Sequence, residues 1–314
     1  MEGAAAEDGR PELLVLRALK LGDLLVAVPA LHALRRAYPG HRLRYAAQGW
    51  LSDALDLVGG FELLPTHGLD VPLAVEPGTV DVAVNLHGSG PESQMRIDAV
   101  RARRTIGHGN GSHDGPRWHP ELHERERWVR LLEWHGIDAD HLDFRLSVPT
   151  LPSPVPAATV LHVGAAYGSR LWPADRFAVV ASRLAAAGHN IVFTGSTGER
   201  ERALEVCNRA GLPLTAVLAG NLTLGEFAAT IAAALLVVSA DTGAAHLASA
   251  YGTPSVVIFG PAPPEIWGPP PGPHVVLTQA ALRRGDTFAA DPDPALLAVS
   301  VPDVLRAVRD LGLL

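Results

Sequence analysis

A chain of 314 residues with a single cysteine, Cys207, can neither close an internal disulfide nor gather thiolates around a metal, which fits a reducing cytoplasm. The thiol is expected to pack. Positive charge is also short: 26 Lys and Arg stand against 33 Asp and Glu, a formal net charge of -7, which argues against nucleic acid as a partner. No long apolar run is present. The longest uncharged apolar stretch, Phe227 to Ala240, is too short to cross a bilayer and ends in a turn signal, so no transmembrane segment is expected. Met1 to Arg10 is small and acidic, without the basic-then-apolar order of a signal peptide, and reads as a loose tail. Several standard motifs are missing too. No strand-like run leads into GxGxxG, no glycine is followed at the right distance by Gly-Lys-Ser or Gly-Lys-Thr, and no serine-hydrolase elbow occurs.

What is present is alternation. With 47% hydrophobic residues, the chain can build two ordinary domains or one large α/β domain. Leu13 to Leu16 reads as a strand, Leu24 to Tyr38 as a helix stopped by Pro39 and Gly40, Leu43 to Ala47 as a strand, Leu51 to Val58 as a helix, and Asp81 to Asn85 as a buried strand. A Gly- and His-rich loop, Gly107 to Gly115, precedes a helix over Glu121 to His135. The run from Pro149 to Pro156 lacks donors and has fixed φ angles, making a stiff linker. Beyond it, strands over Thr159 to Val163, Asn190 to Thr194, Leu235 to Ser239 and Ser255 to Phe259 alternate with helices over Phe177 to Ala187 and Arg200 to Ala210. Pro302 to Leu313 reads as a final amphipathic helix, with Val304, Leu305 and Val308 on one side. The expectation is α/β, with Rossmann-like domains over 1–150 and 151–314 and a cleft between them at the carboxyl ends of the strands. The last helix belongs to the second domain or packs back on the first.

Candidate residues cluster at strand-to-helix turns. Asp241, Thr242 and Gly243 join a strand to a helix, where unpaired N–H groups and the helix dipole suit a diphosphate without a metal; His246 follows one turn on. An ordinary capped helix explains the same residues. Arg170, after a glycine-bearing loop, is either a surface cation or a neutraliser of a departing diphosphate. Glu199 and Glu201 either accept from ribose hydroxyls or serve a helix start. In the first half Asp23, in the loop before the first helix, is a helix cap or a catalytic carboxylate, flanked by Arg17 and Lys20, which hold a phosphate, favour the ionised form of Asp23 or, as is commoner for such charges, form a solvated pair. His119 and His123 would share a helix face as metal ligands, but Pro120 between them argues against it, and no metal site is assigned among the 14 histidines.

Leu21-Gly22-Asp23 with Pro29-Ala30-Leu31, Arg170-Leu171-Trp172-Pro173, Gly195 with Glu199 and Glu201, Asp241-Thr242-Gly243 with His246, Phe259-Gly260-Pro261 and Trp267-Gly268-Pro269 together resemble glycosyltransferase family 9, the ADP-heptose:lipopolysaccharide heptosyltransferases. The similarity runs from Leu13 to Leu314. It implies a GT-B fold of two Rossmann-like domains, the donor nucleotide in the C-terminal one and the acceptor in the N-terminal one, and inverting transfer without metal or cofactor. By this resemblance Asp23 is the general base, Arg170 stabilises the leaving diphosphate, and Thr242 and Gly243 donate backbone N–H groups to the phosphates while Asp241 shapes the turn. Glu201 is first choice for the ribose and Glu199 second. Lys20, Gly22 and His246 are counted with the nucleotide-sugar set, and His87 and Arg96 with the acceptor region. Implied partners are a nucleotide diphosphate sugar, an ADP-sugar favoured, and a glycan, lipid-linked saccharide or small glycoside, the lipid acceptor bringing loose contact with the inner membrane face. Two departures stand out: Leu19-Lys20-Leu21 and Ala165-Ala166 occupy positions where the family carries hydroxyl side chains. A nucleotide-sugar epimerase or hydrolase of the same fold, or a non-catalytic nucleotide or glycan binder, is the alternative.

Overall fold

The computed structural model describes residues 9–109 and 113–314. The expected loose tail falls outside them over 1–8, as do 110–112 of the Gly- and His-rich loop. The chain divides into two compact units, Met1–Ser147 and Val148–Leu314, the break lying at the head of the proline-rich run.

The first unit contains β1 (Glu12–Leu16), α1 (Leu21–Ala37), β2 (Arg42–Ala47), α2 (Ser52–Val58), β3 (Glu62–Pro65), β4 (Val82–Asn85), α3 (Pro91–Val100), β5 (Arg104–Ile106) and α4 (Glu124–Trp134). Its five strands are all parallel, in the order β3-β2-β1-β4-β5. Covered on both faces by helices, the central strands β1 and β4 are buried almost throughout, hence their unbroken apolar runs. Two expectations need correction. Helix α1 starts at Leu21, not Leu24, because the Lys20 N–H donates to Asp23 Oδ2 (3.1 Å) as in a capping box; Asp23 therefore sits in the helix's first turn, not in the preceding loop. Helix α4 starts at Glu124, not Glu121, because the His123 ring accepts from the Arg125 N–H (3.1 Å). His119 and His123 thus both precede the helix and share no face of it.

The second unit contains β6 (Thr159–His162), α5 (Ala174–Ala186), β7 (Ile191–Thr194), α6 (Arg200–Ala210), α7 (Leu224–Ala232), β8 (Leu236–Ala240), α8 (Gly243–Tyr251), β9 (Ser255–Ile258), α9 (Pro264–Trp267), β10 (His274–Leu277), α10 (Pro294–Leu297) and α11 (Val301–Asp310). Its sheet is also parallel, in the order β10-β9-β8-β6-β7. The expected final helix is α11, whose Val304 and Val308 are buried and whose Leu305 is partly so; it packs on α5, β9 and β10 of its own unit. Both units are Rossmann-like, as expected for a GT-B chain, but their strand orders differ. The first follows the dinucleotide-binding order and the second the flavodoxin-like order. Strand order reverses between β1 and β4 in one and between β6 and β8 in the other, and each reversal opens a crevice at the strand carboxyl ends.

Trp172 anchors the second core: fully buried, it stands edge-on to Phe177 at 5.0 Å and donates from Nε1 to the Val299 carbonyl at 3.0 Å, tying the segment before α5 to the chain entering α11. Trp172→Ala should cost about 3–5 kcal/mol in urea unfolding, through a cavity and an orphaned carbonyl.

Candidate functional site

At the reversal of the second unit, β8 delivers Asp241 to the start of α8. The carboxylate is almost fully buried and held from two sides, Oδ2 accepting from Arg170 Nη1 at 3.1 Å and Oδ1 lying 3.7 Å from His246 Nε2. Arg170 Nη1 also reaches the Asp241 carbonyl (3.3 Å). Arg170 is thus aimed at the turn from the loop after β6, the neighbouring strand. Thr242 is the N-cap of α8 in extended backbone, but its hydroxyl meets Ser239 Oγ (2.9 Å) and makes no side-chain cap bond. The earliest N–H groups of a helix have no intrahelical acceptor, and with the positive end of the helix dipole they favour an anion beside Gly243. His246 is buried one turn along, against Asp241.

Of the two glutamates, the fold brings Glu199 to the strand ends. Its Oε2 accepts from the Ser196 N–H (2.6 Å), and its carboxyl group lies so close to Gly164, at the end of β6, that a Cβ there would sit 2.0 Å from the carboxyl carbon. His162 ends β6 with Nδ1 3.0 Å from Thr194 Oγ1; burial lowers its pKa while nearby Glu199 acts the other way. Glu201, one step into α6, is exposed.

Two supports of this region carry no recognisable sequence signal. Arg202 donates to the carbonyls of Val163 (Nε, 2.8 Å) and Trp172, bracketing the loop that carries Arg170. From the far end of the unit, Ala289 and Thr287 supply carbonyls to the Ser169 N–H and hydroxyl, each at 2.9 Å. A Cβ on Gly168 would lie 1.6 Å from the Ala290 carbonyl oxygen, so only glycine admits this crossing.

In the first unit the reversal gathers Asp23, Arg17 and His87. Arg17, at the end of β1, is 1% exposed yet charged; Nε donates to the Asp23 carbonyl at 2.6 Å, Nη1 to the Leu86 carbonyl, and Nη2 lies 3.7 Å from Asp23 Oδ1. His87 Nδ1 accepts from the Ala18 N–H (3.2 Å), and burial together with the Arg17 charge lowers its pKa. A neutral ring with a proton on Nε2 is the form this bond requires. Lys20 is exposed and Gly22 half-buried in the first turn of α1. Arg96 stands apart from this group: from α3 its Nε donates to the Leu69 carbonyl (2.5 Å) and Nη2 to that of Asp70 (3.4 Å).

Among the described residues, no group of three or more His, Cys, Asp or Glu is placed to hold a metal ion, and no helix is long and apolar enough to cross a membrane. Cys207 is buried, with Sγ 3.3 Å from the Leu212 carbonyl.

Residues 137–288 match the family model described as glycosyltransferase family 9 (heptosyltransferase). This is the family that the sequence motifs resemble. Over 114 residues the chain is 36% identical to lipopolysaccharide heptosyltransferase 1 of Pseudomonas aeruginosa, a match covering 36% of this chain and 31% of that protein. The chain thus spans about a third of the length of that curated relative. Among solved structures, a glycosyltransferase family 9 protein from Veillonella parvula superposes with a TM-score of 0.74 at 20% identity, covering 96% of this chain and 97% of that one. An Escherichia coli heptosyltransferase solved with ADP gives 0.69 at 18% identity, covering 96% and 99%. At such identities these structures establish the shared fold.

A buried histidine in the first unit generates a pH prediction. His108 Nδ1 is 3.1 Å from the Pro116 carbonyl, its Nε2 is buried without a partner among the described residues, and its ring is packed edge-on to Trp118, so burial drives its pKa down to about 4. A depressed histidine pKa means that the unfolded chain binds the proton first, so this contribution to stability is full above about pH 6.5 and is lost as pH falls to about 4. His108→Gln should therefore show a smaller drop in melting temperature than the parent between neutral pH and about pH 4.5, followed by circular dichroism.

Proposed function

We propose that this chain, whose residues 137–288 carry a glycosyltransferase family 9 domain, is an inverting, metal-independent glycosyltransferase that uses a nucleotide diphosphate sugar, an ADP-sugar for preference. The observation that carries this reading is the Arg170–Asp241 pair at the strand reversal of the second unit, beside the start of α8. It joins a fixed cation to a helix N-terminus, the combination a departing diphosphate requires. Arg170 neutralises charge on the leaving group, the turn at Thr242 and Gly243 offers backbone N–H groups, and Asp241 with His246 holds that turn rigid. Since Ala165 and Ala166 bring no hydroxyls, the phosphates rest on backbone donors and this one guanidinium. Glu199, ahead of Glu201, takes the ribose hydroxyls, because its carboxylate already lies over the end of β6.

Asp23 acts as general base. It removes the proton of the acceptor hydroxyl as that oxygen bonds to the anomeric carbon and the carbon–diphosphate bond breaks, leaving a protonated carboxyl group and the free nucleotide. One displacement inverts the anomeric centre. Heptose as the sugar and a lipopolysaccharide core glycan as the acceptor are the choices supported by the names of the curated relatives, and the chain would then work at the inner membrane face.

A thermal-shift panel of ADP-heptose, GDP-, UDP- and dTDP-sugars tests the donor site: ADP-heptose should raise the melting temperature most, since a ligand of the folded state stabilises it by mass action. No shift with any donor sinks the assignment. Asp23→Asn should keep the ADP-heptose shift but lose about 10²- to 10⁴-fold in transfer. Free heptose released by the parent without acceptor would point instead to a hydrolase. Gly164→Ala forces the Glu199 carboxylate away, and the expected outcome is a lost donor shift with the fold intact by circular dichroism.

A further inference from the structure

We infer that Arg17, held in place by Glu124, is the positioning residue that fixes Asp23 for proton abstraction. The inference rests on the reading of Asp23 as the base, and it concerns groups that reading does not use. A guanidinium that is 1% exposed must find acceptors, and Arg17 finds them on three separate parts of the chain. It extends from the end of β1 to the Asp23 carbonyl in the first turn of α1 (2.6 Å), to the Leu86 carbonyl beyond β4, and toward the Asp23 and Glu124 carboxylates, each at 3.7 Å. The third is α4, whose Trp128 ring also faces the guanidinium carbon at 4.6 Å.

Glu124 is itself pinned. Its Oε1 accepts from Arg127 Nε at 2.8 Å and its Oε2 from Trp128 Nε1 at 3.1 Å, and the side chain is almost wholly buried. Arg127 in turn is stacked 4.0 Å over Trp118 and donates to the carbonyls of His119, Pro120 (3.2 Å) and Leu122 (2.9 Å). A buried chain of charge, Asp23–Arg17–Glu124–Arg127, therefore runs from the candidate base to the segment that follows the Gly- and His-rich loop. Only a planar fork satisfies the Arg17 end of it, because one ammonium cannot reach the Asp23 carbonyl, the Leu86 carbonyl and two carboxylates together. Glu124 is the carboxylate that α4 presents to Nη2.

The test compares Arg17→Lys, Glu124→Gln and Asp23→Asn in the full chain. Transfer is read as ADP release from ADP-heptose with deacylated, heptose-deficient lipopolysaccharide as acceptor, and crystal structures of the same variants are solved. Arg17→Lys keeps the charge and loses the fork; kcat should fall about 10²-fold with donor KM within about threefold, the signature of a misplaced group and not of a lost donor site. Glu124→Gln, nearly isosteric, should fall about tenfold, and it carries the test if Arg17→Lys does not fold. In the crystal structures the Asp23 carboxylate should move by about 1 Å or more. Folded variants with parental kcat, or an Asp23 carboxylate that stays where it is, overturn the inference. An Asp23→Asn variant as active as the parent instead removes the base reading itself, whatever Arg17 does.

Discussion

Everything functional in this molecule depends on one topological constraint: in a parallel sheet the loops leave from the carboxyl ends, and where strand order reverses two neighbouring loops diverge and leave room. Both units use it. In the first, β1 and β4 send out the segments that hold Arg17, Asp23 and His87; in the second, β6 and β8 send out those of Arg170, Asp241 and Gly243. These six residues are far apart in sequence, yet each lies within eight residues of one of the four strand ends, while Glu199 follows the neighbouring β7 and Arg96 stands apart on α3. That concentration is why short, individually ambiguous turns add up to two sites.

The two sites solve the same electrostatic problem differently. Each pairs an arginine with an aspartate and buries one member of the pair, which is costly unless the remaining donors and acceptors of the buried group are met. Around Asp241 a single arginine and a histidine do this, leaving Arg170 a quarter exposed and available to a ligand. Around Asp23 the arrangement extends inward, through Arg17 and Glu124 to Arg127, with Trp128 and Trp118 covering the two guanidinium planes. Here the arginine is withdrawn from solvent and the carboxylate is left accessible. The exposed member is the cation in one unit and the anion in the other, as the proposed roles in leaving-group stabilisation and proton abstraction respectively require.

How much was legible depended on range. The central strands, α5, α6, α8 and the last helix follow from periodicity and caps, because those signals are local and the elements are buried on predictable faces. The expected starts of α1, α4 and α5 each fall three residues from the observed ones; at α1 and α4 the capping groups, Asp23 and His123, also resemble catalytic or metal-binding residues. Strands β3, β5 and β10 lie at sheet edges and are short and half-polar, so the alternation that marks a strand is faint. The family resemblance ranks Glu201 ahead of Glu199 for the ribose, but the turn of chain between β7 and α6 reverses their placement, folding Glu199 over Gly164 and leaving Glu201 in solvent.

By itself the sequence determined the alternating α/β architecture, its division at the proline-rich run, the turn at Asp241 and the lack of a second cysteine for an internal disulfide, all of which reside in composition or in local runs of residues. Tertiary structure alone decided which glutamate meets the strand ends, that the chain from Thr287 to Asp293 crosses Gly168, and that Glu124 stands behind Arg17. The last two join residues more than a hundred positions apart, and all three draw their strength from excluding water around groups that are individually ordinary on a surface. No local pattern records which distant partner will supply the missing hydrogen bond.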